Sequence, residues 1–324
     1  MDLDRQLLTC VEKQLNPDGL TEGYVVYDEL SRGYNGVVYR LRTTAMADKG
    51  NQFVLKVIPF GLEISEQENR QQIEQEYEFG RQIGKAGLGA EYISHGFCEN
   101  GFVRRPTINE YMNRGRSPRD PRYNDYDDVI DDLYPDQIGW VGWIIMSYLP
   151  GVTLEKVYPR QSWMLTDALN AFYRLAVDYN IYQFDHSPSN VMIDSEAKRI
   201  YLIDFGITST WSKEKERRIE ELLKDNPQAN VYSRAQLEIL ALRTYMYDVL
   251  TELTFIEPPA GQFRDTEEVL HWLDTANEWY AKRFKLPSGH HVLDYTGRGG
   301  LDEEFNNQWL AEHGRLVDPY QETW

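Results

Sequence analysis

The stretch from Tyr179 to Thr208, YNIYQFDHSPSNVMIDSEAKRIYLIDFGIT, constrains this chain more than any other. Two short apolar runs rich in β-branched residues, Val191-Met192-Ile193 and Ile200-Tyr201-Leu202-Ile203, flank a turn-like DSEAK. That is the pattern of a β-hairpin. Polar residues bracket it. Asp185 and Asn190 precede the first run, and Asp204-Phe205-Gly206 follows the second. A hairpin brings its two ends together, so Asn190 at its entry and Asp204 at its exit are expected to be neighbours, with Asp185 just before them. Two oxygen-bearing side chains so placed can hold a hard cation such as Mg2+ and face a nucleophile. The plain alternative is a hairpin carrying solvated acids.

With 324 residues the chain can form one large domain or two lobes, and it is long enough to bury a substantial core. A content of 41% hydrophobic and 13% aromatic residues marks it as globular rather than disordered. No run approaches the roughly eighteen apolar residues of a membrane span. The start, MDLDRQLLTC, lacks the basic-then-apolar order of a signal peptide. Cys10 and Cys98 are the only cysteines. A single pair can be bridged but makes no framework, which points to a reducing compartment. The net charge of −18 argues against a nucleic-acid partner, since phosphate-backbone binders cluster Lys and Arg. The expectation is a soluble cytosolic protein with no membrane span.

In chain order, apolar positions at loose helical spacing up to about Leu20 predict an N-terminal helix. YVVYDELSRGYNGVVYRLR then reads as two β-runs joined by a glycine-bearing turn, Ser31-x-Gly33-x-x-Gly36-x-Val38. Glycines there let backbone N–H groups approach phosphates with no Cβ in the way. After a loop, TTAMADKGNQ, comes a third run, Phe53 to Ile58, containing Lys56. A lysine inside a β-run is unusual, because an uncompensated buried ammonium is costly, whereas on an exposed strand it is unremarkable. The polar segment from Ser65 to Lys85 reads as a helix, with Ser65 and Glu68 as a capping box. Glycine turn, strand lysine and helix in this order resemble protein kinases, and that resemblance implies a glutamate of this helix as partner of Lys56, with Glu74, Glu76 and Glu78 as the candidates. Glu76 is selected because Phe79 and Ile83 lie three and seven positions on, which places it on their inward side.

Ala90 to Gly96 and Trp140 to Tyr148 read as two more strands. The segment between them, 98–137, reads as a lobe-surface insertion, either a docking element or a solvated spacer. It is basic at first (NRGRSPRDPR), then acidic and tyrosine-rich (NDYDDVIDDLYPD). Helices are expected over Leu165 to Tyr179, over WSKEKERRIEELLKD after Thr208, over Ser233 to Leu253 and over Thr266 to Lys285. His290-His291 with Asp294 reads as a solvated loop rather than a metal cluster.

Taken in order, glycine turn, strand lysine, helix glutamate, D-x-x-x-x-N and D-F-G resemble the protein-kinase-like superfamily over residues 24–208. The resemblance implies an α+β, bilobal fold: a β-rich N-terminal lobe, 1–146, with a five-stranded sheet, and a mainly helical C-terminal lobe, 147–324. It implies an ATP-dependent phosphotransferase. Gly33 and Gly36 would cover the phosphates, Lys56 would contact them and Glu76 would fix the lysine. Asn190 and Asp204 would coordinate Mg2+, and Asp185 would accept or orient the acceptor hydroxyl. Val38, Val54 and Met192 would sandwich the adenine. Met146 would be the gatekeeper, and the backbone of Ser147 and Leu149 would hydrogen-bond the base.

The chain also departs from that family. H-R-D is Gln183-Phe184-Asp185 here, so the arginine that reads a phosphorylated activation loop is absent. The lysine two after the catalytic aspartate in serine/threonine kinases is Ser187, the first glycine of the nucleotide loop is Ser31, and A-P-E is missing. Aminoglycoside and choline kinases also lack that lysine, and compact bacterial effector kinases show similar losses. The leading expectation is an atypical protein kinase acting on a protein hydroxyl, with an activating partner protein as a further expectation. It would work in the cytoplasm, or in a host cytosol as a secreted effector. A small-molecule kinase and a nucleotide-binding pseudokinase are the alternatives. Retention of Lys56, Asp185, Asn190 and Asp204 counts against the last.

Overall fold

The structure is a computed structural model. It describes residues 3–15, 24–33, 36–43, 52–61, 65–104, 137–157, 160–225, 227–255 and 266–284. Helices combine with antiparallel sheets, so the protein is α+β. The chain divides into two compact units, Met1–Leu149 and Pro150–Trp324.

The first unit is built on a five-stranded antiparallel sheet of order β1-β2-β3-β5-β4. Its strands are β1 (Tyr24–Gly33), β2 (Gly36–Thr43), β3 (Gln52–Gly61), β4 (Tyr92–Arg104) and β5 (Gln137–Ser147). Strand side chains alternate between faces, and each face meets one helix. Helix α1 (Leu3–Leu15) buries Leu7, Leu8 and Val11 against Val37, Tyr39, Leu41, Leu55, Val57, Val141 and Trp143. Helix α2 (Glu66–Lys85) serves the other face through Asn69, Ile73, Glu76, Gly80 and Ile83, spaced three or four apart. Small residues let α2 come close. A Cβ on Gly80 would lie 2.4 Å from the Tyr92 ring, and one on Gly142 would lie 2.3 Å from Ile73. The capping box forms as the sequence predicts: Ser65 Oγ accepts from Glu68 N–H, and the Glu68 carboxylate accepts from Ser65 N–H at 3.1 Å.

Two expectations change in this unit. Strand β4 does not stop near Gly96. It runs to Arg104, with a shift of register between Glu99 and Val103, so residues 98–104 belong to the sheet rather than to an insertion. Buried Phe97 and Cys98, paired with Gly142 and Val141, carry the strand onward. The rest of that segment lies outside the described residues. Cys10 and Cys98 form a disulfide, with Cα atoms 6.4 Å apart, that ties α1 to β4. The reducing compartment inferred from the cysteine count does not follow from a pair that is bridged.

The second unit opens with β6 (Val152–Thr153), which pairs with β8 (Val191–Asp194) and through it β9 (Arg199–Leu202). A two-stranded ribbon joins β7 (Ile181–Gln183) to β10 (Thr208–Thr210). Among the described residues, four α-helices complete the unit: α3 (Ser162–Val177), α4 (Trp211–Asp225), α5 (Arg234–Phe255) and α6 (Thr266–Phe284). α5 is apolar almost all round, burying Leu240, Tyr245, Met246, Val249 and Leu253, which suits a helix central to its unit. Side chains tie the helices together: Tyr280 OH of α6 donates to the Arg243 carbonyl of α5 at 3.1 Å, and Trp279 Nε1 of α6 donates to Asn170 of α3 at 3.0 Å. Among the described residues no helix is long and apolar enough to cross a membrane.

Candidate active site

The site residues read from the sequence fall into two groups, one in each unit. In the first unit, the register of β2, β3 and β5 sets Val38 opposite Lys56 and Lys56 opposite Ile144. The adjacent row sets Arg40 opposite Val54 and Val54 opposite Met146. Val38, Val54, Lys56 and Met146 therefore share the sheet face that α2 covers, away from α1. Lys56 Nζ donates to Glu76 Oε1 at 2.8 Å, with side-chain exposures of 7% and 1%. Of the three candidate glutamates, Glu76 is the one that meets the lysine. Glu74 is exposed, and Glu78 pairs with Arg81 instead. The reason differs in one particular. Phe79 is only half-buried, and it is the stripe through Ile73, Glu76 and Gly80 that turns Glu76 inward.

Gly33 pairs with Gly36 where β1 meets β2. Gly36 adopts φ +135°, and a Cβ there would lie 2.2 Å from the Val57 carbonyl oxygen. Close packing on β3 thus requires this glycine before any phosphate is considered. Ser147 is a more restricted candidate than expected. Its N–H donates to the Glu91 carbonyl at 2.9 Å, and its hydroxyl accepts from Glu91 N–H at 2.9 Å. Its backbone N–H is therefore taken, which leaves its carbonyl as the backbone group open to a base. Leu149, half-buried, ends the unit.

In the second unit the hairpin forms as read. β8 and β9 pair Val191 with Leu202 and Met192 with Tyr201, and half-buried Met192 also pairs with Thr153 of β6. Asp194 turns the corner, its side chain accepting from the N–H groups of Glu196 and Ala197. Asn190 closes a 3₁₀ turn, Pro188–Asn190, and its carbonyl accepts from Ile203 N–H at 2.9 Å. Entry and exit of the hairpin are thereby joined, which sets Asn190 one residue from Asp204 across the pair. The Asn190 amide nitrogen donates to the Asp185 carbonyl at 3.4 Å, which leaves its oxygen as the atom suited to a cation. Exposed Asp185 closes an Asx turn, accepting from Ser187 N–H at 3.0 Å.

Asp204 has φ +60°, a left-handed backbone that costs a non-glycine residue about 1–2 kcal/mol. Gln183, fully buried on β7, holds it there. Its side-chain amide donates to the carbonyls of both Ile203 and Asp204, each at 3.0 Å. The sequence showed Gln183 only as a departure from H-R-D and gave no sign of this task. Glu252 of α5 was not singled out either. It accepts from the His186 N–H at 3.1 Å and lies 3.5 Å from the His186 ring nitrogen, gripping the residue after Asp185. Nothing local marks a partner 66 residues away.

Beneath the ribbon, Arg218 of α4 is 7% exposed and binds Glu214, Asp248 and the Tyr182 hydroxyl at 2.7, 2.7 and 3.3 Å. Burial works to raise the Glu214 carboxyl, but Arg217 and Arg218 outweigh it and hold the group below its usual range. Burial also pushes the Tyr245 phenol far up, and its ring stands edge-on to His186 with centroids 5.3 Å apart.

Among the described residues no three His, Cys, Asp or Glu side chains gather as a metal cluster. His290, His291 and Asp294 lie outside the described residues. Asn190 and Asp204 provide two oxygen donors, which fits Mg2+, a cation that keeps several waters and takes its other ligands from a substrate's phosphates. No protein-family model matches the chain, and no curated protein matches it.

Proposed function

We propose that the protein is an ATP-dependent phosphotransferase of the protein-kinase-like type, transferring the γ-phosphoryl group to a protein hydroxyl. The observation that carries this reading is the buried Lys56–Glu76 pair on the face shared by Val38, Val54 and Met146. Replacing a buried ion pair by apolar residues is often neutral or stabilising, so stability alone gives little reason to keep one inside a sheet. A ligand bearing phosphates gives a reason: Glu76 fixes the ammonium, and the ammonium meets phosphate oxygens.

In this reading Val38, Val54, Met146 and Met192 provide apolar contacts for the base, and Gly33 and Gly36 cover the phosphates. The carbonyl of Ser147 and the backbone of Leu149 bond the base edge. Asn190 and Asp204 hold Mg2+, which offsets charge on the phosphate oxygens when bound. Asp185 projects from a loop pinned by Ser187 N–H and by the Asn190 amide. It orients the acceptor hydroxyl and takes its proton.

The test is to follow thermal unfolding with ATP in the presence of Mg2+ or EDTA, and then transfer from γ-labelled ATP. Saturation a hundredfold above Kd stabilises the native state by about 2.7 kcal/mol. ATP should raise the melting temperature more with Mg2+ than with EDTA. Asp185→Asn should keep that shift and lose about 10²–10⁴ of turnover. Absence of any ATP-dependent shift under either condition would remove the kinase reading. Label recovered in small molecules rather than in protein would select the small-molecule alternative.

A further inference from the structure

We propose that the Cys10–Cys98 disulfide is a thiol-sensitive clasp that holds α1 against the back of β3 and so positions Lys56. The role given to Lys56 rests on the kinase reading; the clasp itself does not. The disulfide links α1 to β4 across 88 residues of sequence. One position on from Cys10, Val11 is fully buried, and Leu7 one turn earlier is 1% exposed. These side chains share one core with Leu55 and Val57. Leu55 and Val57 are the two neighbours of Lys56 in β3, pointing to the face opposite the lysine. Anything that lifts α1 removes the packing behind the residues that aim Lys56 at Glu76.

A polar contact also ties this helix to the sheet. Gln14 spans to the sheet, donating to the Phe97 carbonyl at 2.9 Å and accepting from Trp143 Nε1 at 2.8 Å. The two sulfurs differ in access: Cys98 is buried at 8% exposure, while Cys10 is half-buried. A dithiol reductant therefore attacks at Cys10. The sulfur–sulfur bond breaks, Cys98 leaves as thiolate and takes a proton, and a mixed disulfide forms on Cys10. The second thiol of the reductant displaces Cys10 and departs as the oxidised cyclic disulfide. Two electrons and two protons pass to the protein. The Cys10 thiol then has the Glu99 carbonyl 3.4 Å away to receive its hydrogen.

The experiment uses the full chain, oxidised or treated with dithiothreitol, beside a C10S/C98S variant. Alkylation of the unfolded protein should find no free thiols in the oxidised form and two in the reduced form. Amide hydrogen exchange should then quicken about tenfold or more in α1 on reduction, and severalfold across Leu55, Lys56 and Val57. The C10S/C98S variant should match the reduced protein and ignore the reductant. The Kd for ATP with Mg2+ should rise on reduction in the natural chain alone. Free thiols in protein purified and handled under air, or α1 exchange indifferent to reduction, would overturn the clasp. Faster exchange in α1 with β3 unchanged would overturn the link to Lys56. ATP that binds neither form would sink the kinase reading and leave the clasp to be judged by exchange.

Discussion

The two units hold their polar groups in opposite ways. In the first, Lys56 and Glu76 meet as charges inside an apolar setting, and packing holds them: α1 behind β3, and α2 brought close by Gly80 and Gly142. In the second, Asp185, Asn190 and Asp204 are held by other polar groups, chiefly backbone N–H and carbonyl groups and the Gln183 amide. A charge set by packing is sensitive to losing its partner. A carboxylate set by a hydrogen-bonded loop loses its aim when the loop's donor goes.

The largest expected effect breaks the packed pair. Removing one partner of a buried ion pair costs about 3–5 kcal/mol, because the other charge stays buried. Glu76→Ala should destabilise by that amount in urea unfolding. Lys56→Met with Glu76→Leu should recover most of the loss while phosphotransfer stays absent. If Glu76→Ala were nearly as stable as the natural protein, the pair would not be the buried, coupled unit seen here.

A smaller loss is expected from the hydrogen-bonded group. Gln183→Leu fills the same space but leaves the Ile203 and Asp204 carbonyls without their donor. Each unsatisfied buried group costs about 1–3 kcal/mol, and the strained Asp204 backbone is then free to relax. Mg2+ should be needed at higher concentration to give the same ATP-dependent stabilisation. An unchanged Mg2+ requirement would show that Gln183 supports the fold without aiming Asp204.

Acid titration compares the units at lower cost. Glu214 has its folded pKa held below its ordinary value of 4.5 by arginines that outweigh its burial. A depressed carboxylate contributes stability above its unfolded pKa, and that contribution is lost as pH falls through the folded value. Glu214→Gln should cost about 1–2 kcal/mol at neutral pH, since Gln keeps only part of the hydrogen bonding to Arg217 and Arg218. The gap should narrow below pH 4.5 as the natural carboxylate takes up its proton. A gap that stayed constant to pH 3 would mean that Glu214 does not carry this dependence.

Much of this was legible because its determinants are local. Ser65 and Glu68 announce the cap of α2, β-branched runs around DSEAK announce the hairpin, and helical periodicity marks α3 to α6 within a few residues. The family resemblance called for a glutamate partner to Lys56 and helix periodicity picked Glu76, although the inward stripe ran through Ile73 and Gly80 rather than Phe79. What was missed is non-local. Gln183 meets residues 20 and 21 positions away, and Glu252 meets a loop 66 positions earlier. The far end of β4 lies beyond an irregular register that hides strand alternation. The disulfide joins residues whose proximity only the sheet and α1 create.

The smallest expected effect is no effect, and it concerns the segment after Asp204-Phe205-Gly206. In the family resembled, a phosphate there pairs with an arginine beside the catalytic aspartate. Here that neighbour is Phe184, 45% exposed, which offers neither charge nor donors. The segment is already ordered without a phosphate. Thr208, Ser209 and Thr210 form β10 against β7, and the Asn180 side chain accepts from Ser212 N–H at 2.7 Å. On the helix that follows, Lys215, Arg217 and Arg218 are already engaged with carboxylates. A dianion at Thr210 or Ser212 would have to take one of these three from an existing partner or rely on exposed Lys213, a solvated point charge beside Ser212. Phosphatase-treated protein should therefore keep most of its phosphotransfer rate. So should a variant with Ser209, Thr210 and Ser212 changed to alanine, with buried Thr208 changed to valine to keep its volume. A large loss in both, restored by rephosphorylation, would show that Lys213 or one of the paired cations reads the phosphate and that the ordered β10 is not self-sufficient.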